Sequence, residues 1–298
     1  MLLEVSAYPK PGNVHRTRDY SETTYEHFLA SAVASRSYFE RAAKRGILIS
    51  RKKISVQHAE VGAAIRDAVI SIMHSQRGGN TSLGTLTLLV PLAVAAGMTF
   101  TGRHLSRSRL RRNLRRVLRS TTVADSIAFY EAITYGKPGG LGRAPQLDAL
   151  DPSSRRRILD ERFTLLEIFR LAADWDSICR EWTTDYKVTC ELGYPYFSKE
   201  LARTGDVNEA TVNTYLKILS EIPDTLIARK ADIDKARWTC NRAKKTLALG
   251  GASTKAGRRE IELLDEELRM NRHLLNPGST ADITASVLAL ATLSGYKP

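Results

Sequence analysis

The chain is 298 residues long, and 43% of its residues are hydrophobic, 26% charged and 7% aromatic. This composition excludes a disordered tail, a collagen-like protein and a disulfide-rich miniprotein, because enough apolar residues are present to build a large core. The formal net charge is +13, from 45 Lys and Arg against 32 Asp and Glu. Such an excess favours an anionic partner: nucleic acid, a phosphorylated metabolite or an acidic membrane surface.

Helical spacing of apolar residues recurs along the chain, whereas no alternation of apolar and polar residues is long enough to predict a strand. We therefore predict an all-α fold: a single multi-helix bundle of about ten helices in one domain over 1–298, with no substantial sheet. A loop is predicted at 136–154, which holds four Gly and three Pro. The predicted helices cover 24–44, 55–76, 78–97, 106–119, 122–135, 155–174, 176–191, 207–220, 224–249, 255–273 and 279–294.

The second predicted helix begins at Ser55, a favourable N-cap residue. Three polar residues of this helix, Glu60, Asp67 and His74, are spaced by seven. Seven residues at ~100° each return to within ~20° of the starting direction, so the three side chains would form one narrow stripe. Such a stripe either faces solvent or lines a polar cleft, and the sequence leaves both interpretations open.

The segment from Gly78 to Gly102 contains no charged residue, and Arg103 opens a basic stretch. A membrane span has these properties, but the Asn, Ser, Thr and Pro residues of the segment dilute its apolar character, which favours a buried core helix. Three cysteines without a C-x-x-C pair indicate a reduced, cytoplasmic protein. Glu4 and the early prolines are atypical of a signal peptide.

The predicted helix at 106–119 carries seven arginines and an apolar face of Leu and Val. Two interpretations remain: a nucleic-acid patch, or an ordinary amphipathic helix with a cationic outer surface. No aromatic residues are interleaved for base stacking, so we expect nucleic acid not to be the partner.

Three glycine-bearing segments, at 9–13, 78–84 and 276–282, lie at or before predicted helix starts. A helix N-terminus offers unpaired N–H groups and a positive dipole end, which suits phosphate, and glycine permits close approach of the backbone. Each segment could equally be an ordinary cap after a turn. Three of them in a basic chain favour a phosphate-rich ligand, and we expect them to converge around one polyphosphate.

Asp282 is the only charged residue between Leu274 and Tyr296. It is either a first-turn residue favoured by the helix dipole or a Mg²⁺ ligand, with waters and phosphate oxygens completing the octahedron. Arg229 and Lys230, two adjacent cations in the stretch that follows Pro223, could bind a phosphate or form a solvated face.

The glycine segments in this order resemble the triphosphoribosyl-dephospho-CoA synthase family over essentially the whole chain. The matching motifs are E-V-S-A-Y-P-K-P-G-N-V at 4–14, N-T-S-L-G at 80–84 and N-P-G-S-T-A-D at 276–282. The bacterial pattern has His-Lys where Ser82-Leu83 stand here, and the chain looks like the divergent, archaeal-type branch.

The resemblance implies an all-helical fold and an enzyme that joins the triphosphoribosyl moiety of ATP to the ribose 2′-hydroxyl of 3′-dephospho-CoA with release of adenine. It implies an oxocarbenium-like centre, as in glycosyl transfer generally. Glu60 or Asp67 would then be the proton acceptor or charge stabiliser, and Asp282, with Glu4, would hold Mg²⁺. The expected phosphate contacts are Lys10, Gly12, Asn13, Asn80, Thr81, Gly84, Asn276, Gly278, Arg229 and Lys230.

Two other functions remain as alternatives: a related ribosyl transferase that acts on another cofactor precursor, and a basic nucleic-acid-binding helical protein. The partners expected from the resemblance are ATP and dephospho-CoA or a similar acceptor, without a membrane. A homodimer is a further expectation.

Overall fold

A computed structural model describes residues 1–100, 105–142, 144–270 and 273–298. Within these ranges the chain forms fifteen α-helices and no strand, which confirms the all-α prediction with more helices than the ten expected. The helices are α1 (Leu2–Ser6), α2 (Tyr25–Ser50), α3 (Val61–Ser75), α4 (Leu83–Thr99), α5 (Arg107–Arg119), α6 (Val123–Gly136), α7 (Pro152–Asp160), α8 (Leu165–Ala172), α9 (Ser177–Thr183), α10 (Tyr194–Thr204), α11 (Val207–Glu221), α12 (Thr225–Lys230), α13 (Ile233–Ala248), α14 (Lys255–Arg269) and α15 (Gly278–Leu293).

The extra helices arise where a capping residue interrupts a continuous apolar pattern. The predicted helix 155–174 is two helices, because Thr164 and Glu167 form a capping box that starts α8. The predicted helix 224–249 is also two, since Asp232 accepts a hydrogen bond from the Lys235 N–H and starts α13. Helices α1 and α10 were not predicted, and residues 271–272 at the end of the predicted helix 255–273 lie outside the described residues.

The predicted helix at 55–76 starts six residues later than expected. A short 3-10 helix covers Val56–Ala59, Glu60 has a left-handed backbone with φ of 56°, and α3 begins only at Val61. Packing on α6 fixes this start: the Gly62 N–H donates to Asp125 Oδ1 at 2.8 Å, and a Cβ on Gly62 would lie 2.2 Å from the Asp125 carbonyl oxygen. Glu60 therefore precedes α3, and the prediction that it forms a helical stripe with Asp67 and His74 is wrong for Glu60.

The chain divides into two compact units. Unit 1 comprises Met1–Leu29, Lys187–Ala291 and Pro298, and unit 2 comprises Ala30–Tyr186 and Thr292–Lys297. The core of unit 1 forms around α11, whose Tyr215 and Leu216 are buried together with Ile261 of α14. A second apolar cluster joins α12, α13 and α14 through residues such as Ile227 and Leu268.

The core of unit 2 is built on α4, which is buried along almost its whole length. Helices α2 and α4 pack backbone to backbone, since a Cβ on Gly46 would lie 2.0 Å from the Val94 carbonyl oxygen. Pro91 lacks an N–H and leaves the Thr87 carbonyl without its helical partner. The Trp182 indole N–H donates to that carbonyl at 3.1 Å and satisfies it.

The interpretation of the uncharged segment as a core helix is confirmed. No helix among the described residues is both long enough and apolar enough to cross a membrane. Residues 101–102, the last two of this segment, and Arg103, which opens the basic stretch, lie outside the described ranges.

Helix α5 is confirmed as an amphipathic helix with a cationic outer surface. Its apolar side chains, such as Leu110 and Leu114, are buried, whereas most of its arginines are exposed. Arg111 and Arg115 both bind Asp185, one at its carbonyl (2.9 Å) and one at its carboxylate (2.8 Å). In the predicted loop, the described residues between α6 and α7 contain no helix, and Arg143 lies outside the described residues.

Candidate functional site

Lys10, predicted to bind phosphate, is buried with 1% of its surface exposed. Its ammonium forms an ion pair with the Glu4 carboxylate and also donates to the Glu4 carbonyl at 3.1 Å. Glu4 was predicted as a metal ligand, so two residues expected to serve different ligands are partners of each other. A buried charge requires such a partner, because leaving it unpaired costs several kcal/mol.

Gly12 is held by a carboxylate from α14. Its φ of +76° lies in the left-handed region, and its N–H donates to Asp265 Oδ1 at 2.8 Å. Arg18 and Arg269 each donate to the same carboxylate at 2.8 Å. The N–H group that was predicted to face phosphate therefore binds an acidic side chain of the protein.

Asn13 joins two of the three glycine segments. Its amide donates to the Pro277 carbonyl at 3.3 Å and to the Tyr215 hydroxyl oxygen at 2.8 Å. The Tyr215 hydroxyl in turn donates to the Pro11 carbonyl at 2.7 Å, and burial raises the pKa of this tyrosine well above its usual range. Segments 9–13 and 276–282 thus meet inside unit 1.

A second buried carboxylate, Asp224, is the N-cap of α12 and contacts the first turn of α15. Its Oδ2 accepts from the Thr280 N–H and the Thr280 hydroxyl, both at 2.8 Å, while its Oδ1 accepts from the Leu226 and Ile227 N–H groups. Burial raises the pKa of Asp224 in spite of these hydrogen bonds. Part of the amide cluster expected to bind phosphate is already satisfied by this side chain.

Lys230 contacts the N-P-G motif. Its ammonium donates to Asn276 Oδ1 and to the His273 carbonyl, both at 3.1 Å. Burial lowers the pKa of Lys230, while the charge of Asp224 raises it. Both direct acceptors are neutral oxygens, so among the described residues no carboxylate contacts this ammonium. The sequence predicted Lys230 and Asn276 separately, and the structure brings them together.

Two further predicted residues flank this pair. Arg229 precedes Lys230 in the last turn of α12. Gly278 is required by packing, since a Cβ there would lie 2.6 Å from Leu226 Cδ2.

The predicted metal ligands do not form a cage. Asp282 lies in the second turn of α15 and is partly exposed, while Glu4 is paired with Lys10. No group of three potential metal-binding side chains occurs among the described residues.

The third glycine segment, 78–84, belongs to unit 2 and caps α4. Asn80 Oδ1 accepts from the Leu83 N–H at 3.0 Å and the Ser82 N–H at 3.3 Å. The Thr81 hydroxyl lies 2.7 Å from the Ser31 hydroxyl. Gly84 lies in the first turn of α4 and is partly exposed. Capping therefore uses the Asn80 side chain.

The two predicted catalytic carboxylates are each paired with arginine. Glu60 is exposed and accepts from Arg45 at 2.6 Å. Asp67 accepts from Arg41 at 2.7 Å and from Arg66 at 2.8 Å. Partial burial raises the pKa of Asp67, but the two arginines outweigh it and the pKa is lowered overall.

His15 is a polar residue that no sequence pattern assigned to the site. It is 2% exposed, and burial lowers its pKa to about 4. Its Nδ1 lies 3.1 Å from the Thr17 hydroxyl, whereas its Nε2 is buried without a hydrogen-bond partner among the described residues. Asp265 and Asp224 were also missed, because a charged residue within a polar helix or at its cap has no local signature of burial.

Comparisons with known proteins agree with the resemblance seen in the sequence. The model of the family CitG, described as ATP:dephospho-CoA triphosphoribosyl transferase, matches residues 1–298. A 2-(5''-triphosphoribosyl)-3'-dephosphocoenzyme-A synthase named as probable in Azotobacter vinelandii is 31% identical over 101 residues, which span only 34% of each chain. A relative of the same name from Pseudomonas fluorescens is 23% identical over 97% of this chain and 87% of its own.

A solved structure also matches. A crystal structure described as a triphosphoribosyl-dephospho-CoA synthase from Archaeoglobus fulgidus has a TM-score of 0.65 and 25% sequence identity. The match covers 91% of this chain and 100% of that one.

Proposed function

The chain belongs to the ATP:dephospho-CoA triphosphoribosyl transferase family, and from this premise we propose that it transfers the triphosphoribosyl moiety of ATP to 3′-dephospho-CoA. In this reaction the bond between the ribose C1′ of ATP and N9 of adenine breaks. A bond forms between C1′ and the 2′-hydroxyl oxygen of dephospho-CoA. The hydroxyl proton leaves to a base, and adenine departs after taking up a proton. The triphosphate stays on the transferred sugar.

The observation that carries this proposal is the family match over residues 1–298. The geometry of unit 1 supports it, because Lys230 combines a partly buried positive charge with two neutral acceptors, Asn276 and the His273 carbonyl. A cation without a contacting carboxylate can bind a phosphate oxygen without first breaking an ion pair.

We assign the phosphate contacts in two groups. Lys230, Asn276, Arg229 and Gly278 are the proposed direct contacts in unit 1, while Lys10, Gly12 and Asn13 hold the loop at 9–13 in shape through their internal bonds. In unit 2 the proposed contacts are the backbone N–H groups of Asn80, Thr81 and Gly84 and the hydroxyl of Thr81. Backbone N–H groups at the start of a helix, here α4, donate to phosphate oxygens, and the helix dipole favours the negative charge.

The two carboxylates of unit 2 receive different roles. Asp67 stays ionised because its arginine partners lower its pKa, and a fixed negative charge stabilises a cationic sugar centre. Glu60 is exposed and has one arginine partner, so it is the better candidate to accept the hydroxyl proton.

Mg²⁺ enters the proposal as part of the substrate, bound to the triphosphate of ATP. Asp282 is the proposed protein ligand, and Glu4 would join it only by leaving Lys10. The ion would neutralise phosphate charge and orient the triphosphate.

ATP and dephospho-CoA are the partners that this proposal needs. Nucleic acid is left out of the proposal in spite of the exposed arginines of α5, because no aromatic residues are interleaved with them for base stacking. The homodimer stays a prediction, which sedimentation of the purified chain would check.

The test compares Lys230→Met with Lys244→Met, which removes an exposed lysine of α13 in the same unit. We expect Lys230→Met to bind ATP at least ~10-fold more weakly by calorimetry, because it loses a charge-assisted hydrogen bond, and Lys244→Met to bind as the native chain does. Adenine release from ATP, assayed by chromatography with and without dephospho-CoA, tests the reaction itself. Equal affinity in both variants would remove Lys230 from the site, and an absence of acceptor-dependent adenine release would refute the transferase activity.

A further inference from the structure

The clearest unexplained polar group in unit 1 is the imidazole of His15. A buried nitrogen without a hydrogen-bond partner costs free energy, and one reason for a protein to retain such a group is a role in binding or catalysis. Two other buried hydroxyls, of Thr211 and Ser294, also lack a partner among the described residues. His15 differs from them because charged groups surround it.

The charges that face His15 are Asp265, Arg269, Lys10 and Arg18. Lys10 is neutralised by Glu4, whereas Arg18 and Arg269 share the single carboxylate of Asp265. Three cations against two carboxylates leave an excess of one positive charge around an unpaired, neutral ring nitrogen. Such an environment suits an anion and disfavours a metal ion.

The position of His15 in the chain connects it to the proposed nucleotide site. It lies two residues after Asn13, whose amide reaches Pro277 in the N-P-G motif. The same carboxylate that binds the Gly12 N–H, Asp265, acts on the His15 ring. The loop that carries P-K-P-G-N and this imidazole therefore both interact with the carboxylate of Asp265.

We propose that His15 contacts the substrate, donating a hydrogen bond from Nε2 to a phosphate oxygen of the nucleotide. In the tautomer in which the Thr17 hydroxyl donates to Nδ1, Nε2 carries the ring proton and has an N–H that no acceptor among the described residues uses. This inference rests on the proposed function, since the phosphate is that of the ATP substrate. The side-chain donors of the loop at 9–13, those of Lys10 and Asn13, already bind acceptors of the protein. His15 therefore adds a neutral donor that is not yet used.

The experiment measures binding of inorganic tripolyphosphate and of ATP by calorimetry to the native chain, His15→Phe and His58→Phe. His58 is exposed in the 3-10 helix of unit 2 and provides the matched control. We expect His15→Phe to bind both ligands at least ~10-fold more weakly, because phenylalanine has no ring donor and one hydrogen bond to a charged group is lost, and His58→Phe to bind as the native chain does.

A second measurement keeps the inference open to refutation should His15→Phe fail to fold. In the native chain labelled with ¹⁵N-histidine, tripolyphosphate is expected to shift the Nε2 resonance of His15 and to leave that of His58 in place. An unmoved His15 resonance, or unchanged affinity in a folded His15→Phe, would overturn the role of His15. If the native chain binds neither ligand, the proposed function fails as well. If the native chain binds ATP and releases adenine while His15→Phe does the same equally well, only this inference fails.

Discussion

Asp265 in unit 1 and Asp67 in unit 2 make the same contacts in different surroundings. Each carboxylate accepts hydrogen bonds from two arginines at 2.7–2.8 Å. The Asp265 side chain is 3% exposed, whereas that of Asp67 is 28% exposed. The Asp265 pair also fixes the backbone of Gly12, while the Asp67 pair binds side chains alone.

The difference shows that an ion pair acquires a structural role through burial rather than through its distances. Water competes with exposed charges and screens them, so a pair such as that of Asp67 contributes at most ~1 kcal/mol. A buried charge cannot return to water, and loss of its partner leaves the full desolvation penalty. The buried Asp265 therefore holds the backbone of a glycine segment, whereas the more exposed Asp67 binds arginine side chains alone.

The sharpest test of this comparison pairs Asp265→Asn with Asp67→Asn. We expect Asp265→Asn to lower the free energy of unfolding by about 3–5 kcal/mol, because Arg269 stays buried without its counter-ion. Asp67→Asn should lower it by ~1 kcal/mol or less. Urea denaturation followed by circular dichroism measures both, and similar losses would contradict the assigned role of burial.

The pH dependence of stability provides a second test within unit 1. The pKa of His15 is about 4 in the folded chain, against a usual value of 6.5. Between these values the unfolded chain binds more protons than the folded chain, so stability rises with pH and is lost as pH falls through this window. We expect this group to cost about 2 kcal/mol between pH 7 and pH 5.

The control for this pH effect is His15→Gln, which cannot titrate. Urea midpoints of the native chain should fall more steeply between pH 7 and pH 5 than those of His15→Gln. Parallel slopes would show that the folded chain does not hold His15 in its neutral form.

Two left-handed glycines give the smallest expected difference between the units. Gly12 and Gly79 have φ of +76° and +72°. A Cβ on Gly12 would lie 2.8 Å from both Leu268 Cδ1 and Pro277 Cδ, whereas a Cβ on Gly79 meets nothing within 4 Å. Gly79→Ala should cost about 1 kcal/mol for backbone strain alone, and Gly12→Ala about 1–2 kcal/mol more for overpacking. Thermal unfolding of the two variants measures this difference. Equal losses of stability would show that the loop at 9–13 moves to accommodate the added methyl group.

Much of the fold was predictable from local chemistry. The amphipathic pattern of α5 and the uncharged stretch of α4 both fix a helix and its buried face. The start of α3 was not predictable, because the close packing of Gly62 on Asp125 decides it. The breaks at Thr164 and Asp232 depend on caps that look like ordinary polar residues within a longer helical pattern.

The residues of the candidate site were also partly predictable from the sequence, whereas their contacts were not. A glycine motif marked Asn276, and a pair of adjacent cations marked Lys230. Their contact across 46 positions of sequence arises only from the packing of unit 1. Lys10 and Glu4 illustrate the opposite outcome: both residue types suit ligand binding, and burial makes them partners of each other.

The sequence by itself determined that this chain is all-helical, basic and a member of its family, because periodicity, charge and short glycine motifs are local properties. Only the tertiary structure decided which charges meet, which are buried and which ring nitrogen lacks a partner. These outcomes depend on distances between residues far apart in sequence, and the free energy of an ion pair or a buried imidazole follows from its surroundings rather than from the residue type.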